Sequence, residues 1–367
     1  MNTCRSRSRR RLFPRPANVG VRRRLLLAAV VVAASAGMPR ESAAWQFPAL
    51  FMPGTSHDGP LPPVTGEERA LAQALESDVR KLAEEIGERN ASAFRADELR
   101  AAETFLHESL RKAGHRPERQ AFDVRGVTVA NLVAEVRGGA KADEIIVVGG
   151  HYDSAGGTAG ANDNASGVAA TLALARSFAG TRPARTLRFA FFVNEEPPWF
   201  QTDDMGSLRY AKRCRQRNEK IVGMLSLETI GYYSDEKGSQ KFDSLPALRL
   251  LYPDTGNFIA FVADARSGDF TRQVVGAFRR TTKFPAHGCA LPESIEGVGW
   301  SDHWSFWQAG YPGVMVTDTA PFRYPHYHTP EDTPDKIDFE RTARVVAGLG
   351  RVIGEIAELP RPGAEKP

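Results

Sequence analysis

The sequence predicts an α/β protein, a three-layer α/β/α sandwich around a mixed, largely parallel central sheet. Three observations carry that expectation. Short apolar runs of strand length alternate along the chain with stretches of helical spacing, the order that builds parallel sheets. Several runs, such as residues 144–148 and 187–193, read as strands buried on both faces. Helical stretches separate these runs and supply cover for the two faces of the sheet.

The elements follow in chain order. A capping box from Thr65 to Glu68 opens a helix whose apolar face runs through Leu71, Leu75, Val79, Leu82 and Ile86. A second helix, residues 96–113, repeats the pattern through Leu99, Ala102, Phe105 and Leu110 and stops at Gly114. The period then changes to that of strands at 127–136 and 144–148, with a one-sided helix at 165–178. Strands at 187–193 and 221–227 flank a shorter helix at 206–213; a strand at 313–316 and a helix at 341–358 close the body. No internal repeat or low-complexity tract interrupts it.

Composition places the chain among globular proteins: 42% hydrophobic and 25% charged residues suggest neither wholesale disorder nor a polytopic membrane protein. The net charge of +4 owes its excess to arginines between Arg5 and Arg24. No basic stripe with interleaved aromatics remains in the body, so no nucleic-acid partner is expected. Those arginines precede an apolar run, Leu25 to Ala36, and small residues at Ala34-Ser35-Ala36 and Ser42-Ala43-Ala44. The order is that of an export signal, and arginine pairs at 9–11 and 22–24 offer the twin-arginine variant. Residues 1–44 are therefore expected as an export signal or amino-terminal anchor, 45–64 as a Pro- and Gly-rich linker, and 65–360 as the folded domain. The expected location is periplasmic or extracellular, with membrane contact only through an uncleaved amino-terminal segment. Outside that segment only Cys214 and Cys289 occur, open to one bridge or two buried thiols.

In open α/β sheets, ligands bind beyond the carboxyl ends of the strands. Here the strand ending at Val148 runs into His151-Tyr152-Asp153, the one ending at Val193 into Asn194-Glu195-Glu196, and the one ending at Leu227 into Glu228. Asp163 opens the helix after the first of these, and the loop beyond Val316 carries His328. Taken singly, each has an ordinary explanation: Asp163 as a helix cap, Glu195 and Glu196 as solvated surface, His328 as a loop residue. Together they put two imidazoles and three carboxylates on one sheet edge, a donor set suited to a pair of borderline metal ions such as zinc.

In order, His151-Tyr152-Asp153, Asp163-Asn164-Ala165-Ser166-Gly167, Asn194-Glu195-Glu196, Met205-Gly206-Ser207, Ser301-Asp302-His303 and Tyr327-His328-Thr329-Pro330-Glu331-Asp332-Thr333 resemble the signatures of M28 zinc peptidases, which include bacterial leucine-type aminopeptidases. The resemblance implies two zinc ions per chain, one on His151 and Glu228 and one on Glu196 and His328, bridged by Asp163. It makes Glu195 the general base in peptide hydrolysis. Asp153 is expected to accept a hydrogen bond from the second nitrogen of His151 and hold its tautomer, and Tyr327 or Tyr324 is a candidate donor to a developing oxyanion. Three departures stand out. Glu228 occupies a position commonly Asp in the family; the segment between Glu196 and Gly206, containing Pro197-Pro198-Trp199-Phe200, is longer than in the simplest members and is expected to wall the substrate pocket; and residues 234–254 are a further insertion expected beside the site. The expected partners are peptides, cut at their amino termini. The competing readings are a single-zinc glutaminyl cyclase-like acyltransferase and a catalytically inactive peptidase-like binding domain.

Overall fold

A computed structural model describes residues 50–242 and 246–360. Residues 1–44, expected as an export signal or amino-terminal anchor, lie outside the described residues. An eight-stranded sheet runs in the order β1-β2-β4-β3-β5-β8-β6-β7, with β1 Glu118–Val124, β2 Val127–Val136, β3 Lys141–His151, β4 Arg185–Phe192, β5 Lys220–Glu228, β6 Ile259–Asp264, β7 Ala286–Leu291 and β8 Gly313–Thr317. The central strands β4, β3, β5 and β8 are parallel. β1 and β2 are antiparallel to each other, β2 to β4, and β6 to β8, which makes the sheet mixed. The parallel core is the part that matters for the site, because it brings four strand carboxyl ends to one edge.

The helices are α1 Gly66–Arg80, α2 Ala96–Lys112, α3 Gly167–Phe178, α4 Gly206–Gln216, α5 Gly268–Thr281, α6 His303–Gln308 and α7 Phe339–Ile356. The capping box is present: Glu68 N–H donates to the Thr65 hydroxyl, and Thr65 N–H to the Glu68 carboxylate. Alternate residues of β3 point to opposite faces. Ile146 and Val148 join the larger core under α1, α2, α3, α5 and α7, whereas Ile145 and Val147 join a smaller core with Tyr210 and Phe306 under α4 and α6. Burial on both faces is why residues 145–148 of β3 are apolar throughout. Sequence reasoning left out β1, β6, β7, α5 and α6.

The segment 50–64, expected as a linker, lies against the body. Arg279 donates to the carbonyls of Met52, Pro53 and Gly54, Ala286 N–H donates to Ser56 Oγ, and Arg344 donates to Pro62 O. Cys214 and Cys289 are buried free thiols in the two separate cores. Among the described residues, no helix is long and apolar enough to cross a membrane.

At the functional end of the sheet, β3 and β5 approach too closely for side chains. A Cβ on Gly150 would lie 2.6 Å from Leu227 O and 3.1 Å from Asn164 Nδ2. Gly150→Ala is therefore expected to lower stability by about 1–3 kcal/mol, the usual range for overpacking. Urea unfolding checks this, and an unchanged midpoint would contradict the packing described.

Candidate metal centre

Three strand ends and two loops deliver the site. His151 is the last residue of β3 and Glu228 the last of β5; Glu195 and Glu196 sit in the turn after β4. Asp163 lies in the turn that leads into α3, where the Asp163–Asn164 peptide is cis. His328 comes from the loop beyond β8. The structure brings all six together.

His151 Nε2 lies 3.2 Å from Glu228 Oε2 and 3.4 Å from Asp163 Oδ1. On the other side, His328 Nε2 lies 3.0 Å from Asp163 Oδ2 and 3.2 Å from Glu196 Oε2. The Asp163 carboxylate thus turns one oxygen to each imidazole. Glu195 Oε2 stands farther off, 3.8 Å from His151 Nε2. Three groupings, His151 with Asp163 and Glu228, Asp163 with Glu196 and His328, and His151 with Glu195 and Glu196, each bring ligand atoms within 4.8 Å of one another.

The electrostatics are those of a site short of positive charge. Burial, joined by the charge of Asp163, pushes Glu196 and Glu228 up to about 7, although the neighbouring imidazoles pull both down. Burial, with the nearby charges of Glu228, Glu196 and Asp302, drives Glu195 well above the carboxylate range. His151 is raised well above an ordinary imidazole: burial opposes its charge, and the carboxylates of Glu228 and Glu195 outweigh burial. Three atoms facing the cluster, His151 Nε2, Asp163 Oδ1 and Glu196 Oε1, are buried without a hydrogen-bond partner. Buried polar atoms ordinarily have partners, so orphaned nitrogen and oxygen donors turned toward one point fit a cation of the zinc type.

A layer of hydrogen bonds holds these donors in place, and most of it escaped sequence reasoning. Asp153 accepts from the main-chain N–H groups of Glu195 and Glu196 at 3.2 and 3.1 Å. His151 Nδ1 lies 3.1 Å from the main-chain carbonyl of Asp153 and 3.6 Å from its carboxylate. The tautomer contact thus goes to the Asp153 backbone, because the carboxylate is engaged by the Glu195-Glu196 turn. Asp332 accepts from Asn162 and Asp163 N–H and from the Tyr324 hydroxyl. Ser301 Oγ donates to Glu228 Oε2 at 2.7 Å, and Asn131 bridges Val193 and Gly206 on either side of the glutamate turn. Behind the site, fully buried Arg89 donates to the carbonyls of Tyr152, Ala159 and Gly160. Asn194, Thr229 and His328 all have positive φ, at 61°, 46° and 56°. Such a φ is costly for a β-branched residue, and Thr229 is pinned from every side, through Asn164, Thr317 and Asp318.

Of the two tyrosines, Tyr324 is committed to Asp332. Tyr327 stacks on His328, ring centroids 4.0 Å apart, and lines a cavity of about 140 Å³ that opens beside Glu228. Burial and the surrounding carboxylates raise its phenol above the usual range, so it remains a proton donor. The 234–254 insertion supplies cavity wall through Gln240, Leu248 and Tyr252. The 197–200 segment does not line this cavity; Trp199 is buried, with the Arg125 guanidinium over its ring.

The model of peptidase family M28 matches residues 131–352. The uncharacterized protein YfbL of Escherichia coli (strain K12) is 36% identical over 288 residues, covering 76% of this chain and 87% of that one. A probable leucine aminopeptidase 1 of Trichophyton verrucosum (strain HKI 0517) is 25% identical over 290 residues, covering 72% and 69%. Among solved structures, an aminopeptidase from Aneurinibacillus sp. strain AM-1 aligns with a TM-score of 0.59 at 18% identity, covering 82% of this chain and 98% of that one. Fimbriiglobus ruber glutaminyl cyclase aligns with a TM-score of 0.57 at 20% identity, covering 81% and 97%. Both structural likenesses bear on the fold.

Asp153→Ala removes the acceptor that fixes the Glu195-Glu196 turn. It is expected to weaken Zn2+ binding by about 10- to 100-fold, as loss of a ligand's supporting partner usually does. Calorimetric titration of the metal-free protein measures this; wild-type affinity in the variant would contradict the role given to Asp153.

Proposed function

Because this chain belongs to peptidase family M28, we propose that it is a two-zinc aminopeptidase, hydrolysing amino-terminal residues from peptides. The observation that carries the reading is the Asp163 carboxylate, with Oδ1 at 3.4 Å from His151 and Oδ2 at 3.0 Å from His328. A carboxylate shared in this way between two nitrogen donors suits a bridge between two cations. His151 and Glu228 would hold one zinc, and Glu196 and His328 the other. The longer Glu228 still brings an oxygen to the cluster, oriented by Ser301.

Bound zinc supplies Lewis acidity toward a peptide carbonyl and acidifies water near neutral pH. The protein's own groups do the rest. Glu195 takes the proton of the attacking water and returns it to the departing amine, a role that requires it to stay off the metals. Asp153 holds the Glu195 main chain so that its carboxylate faces the cluster. Tyr327, kept protonated, offers its hydroxyl to the developing negative charge at the carbonyl oxygen. In the same reading the enzyme acts outside the cytoplasm, directed there by residues 1–44.

Glu195→Gln preserves shape and removes the base. It is expected to keep wild-type zinc content and lose activity by about 10²- to 10⁴-fold, read from leucine-terminated peptides with zinc measured in parallel. Full activity in this variant would overturn the assignment. Amino-acetylated versions of the same peptides are expected to resist the wild-type enzyme. Their cleavage would exclude an aminopeptidase, and cyclisation of glutamine-terminated peptides without hydrolysis would favour the acyltransferase.

A further inference from the structure

The cavity beside Glu228 has a largely apolar wall, with polar groups from Gln240, Lys241, Thr317 and Thr319 and one imidazole among its lining residues. His287 lines it, held edge-on between Phe258 and Tyr252, with centroids 4.8 and 5.7 Å away. The other polar groups of the wall near it are engaged: the Tyr252 hydroxyl donates to Gly288 O, and Gln240 Oε1 accepts from Thr319 and Arg323. Neither ring nitrogen of His287 makes a hydrogen bond to the described residues. Burial, with Arg279 and Arg323 nearby, lowers its pKa to about 4, so the ring is neutral and offers one N–H and one lone pair.

The strand register fixes where this ring stands. Glu228 pairs with Thr317, Thr317 with Ala260, and Ala260 with His287. The four residues form one row across the sheet on the face that lines the cavity. Three strand spacings, about 14 Å, separate the two ends of the row. A substrate residue whose reacting end sits at Glu228 needs a side chain that crosses the low floor at Ala260 before it meets His287. Tyrosine measures about 6.5 Å from Cα to hydroxyl and a hydrogen bond adds about 2.8 Å, so it reaches toward the imidazole about 4 Å farther than leucine's methyl groups do. A phenol both donates and accepts, as does the neutral imidazole.

We propose that this cavity receives the amino-terminal side chain of the substrate and that His287 hydrogen-bonds its far end, selecting tyrosine over phenylalanine and leucine. The proposal rests on the aminopeptidase reading and narrows it to a substrate class. A site that hydrogen-bonds a substrate hydroxyl discriminates strongly against the analogue that lacks it, because its own polar group is then left unpaired.

The test compares kcat/KM for tyrosine-, phenylalanine- and leucine-terminated peptides in the zinc-loaded wild type, His287→Phe and His287→Gln. The wild type is expected to favour tyrosine over phenylalanine by about tenfold or more. In His287→Phe the ratio falls to about one, and in His287→Gln, which keeps a donor and an acceptor, a preference for tyrosine persists. A wild-type ratio near one, or a ratio unchanged in His287→Phe, overturns the assignment of the cavity while leaving the aminopeptidase intact. Failure to cleave any free amino terminus, leucine included, overturns the underlying reading and this one with it. Should His287→Phe fold poorly, calorimetry of L-tyrosinamide against L-phenylalaninamide on the wild type decides: tighter tyrosinamide binding supports the hydrogen bond, and equal affinity overturns it.

Discussion

Buried negative charge is the constraint around which this molecule is arranged. Asp153, Asp163, Glu195, Glu196, Glu228 and Asp302 are all buried within one end of the sheet. The cationic groups beside them are the imidazoles of His151 and His328 and the guanidinium of Arg89, which is occupied with main-chain carbonyls. Carboxylates in such surroundings either take up protons or find cations. The upward displacement of Glu195, Glu196 and Glu228, and the unpartnered atoms turned inward, are two expressions of that imbalance. Zinc held among these donors would resolve it.

Holding like charges together demands a rigid frame, and the frame is assembled from remote parts of the chain. The parallel order of β4, β3, β5 and β8 puts the donors on one edge. Gly150 and Gly167 then let backbones meet where a side chain would intervene, each with Leu227 O within 2.6 Å of the Cβ position. Asp332 reaches back to the Asp163 turn, and Ser301 to Glu228. These contacts close the site only when the whole sheet has formed, so chemistry and fold share the same long-range bonds.

Much of this was legible in the sequence. Strands such as β3 and β4, buried on both faces, declare themselves as apolar runs, and the residues just beyond them were therefore readable as groups at one edge. β1 was missed because it is an edge strand with Phe122 and Val124 among polar residues. β7, Ala-His-Gly-Cys-Ala-Leu, carries little strand propensity of its own. α5 did have a signal, in the helical spacing of Phe270, Val274, Val275 and Phe278. The supporting residues were harder. Asn131, Arg89 and Asp332 act on partners many tens of residues away, and nothing local in a sequence names such a partner. His287 belongs with them, since its meaning comes from a row of residues contributed by four strands.

One arrangement of donors underlies both the hydrolytic reading and the direction in which a substrate would lie, from Glu228 along the row to His287. Diffraction from crystals grown with zinc, recorded above and below the zinc absorption edge, tests its foundation most directly. The account expects two anomalous peaks on either side of the Asp163 carboxylate, roughly 3.5–4 Å apart. A single peak at full zinc loading, or peaks away from Asp163, would contradict it.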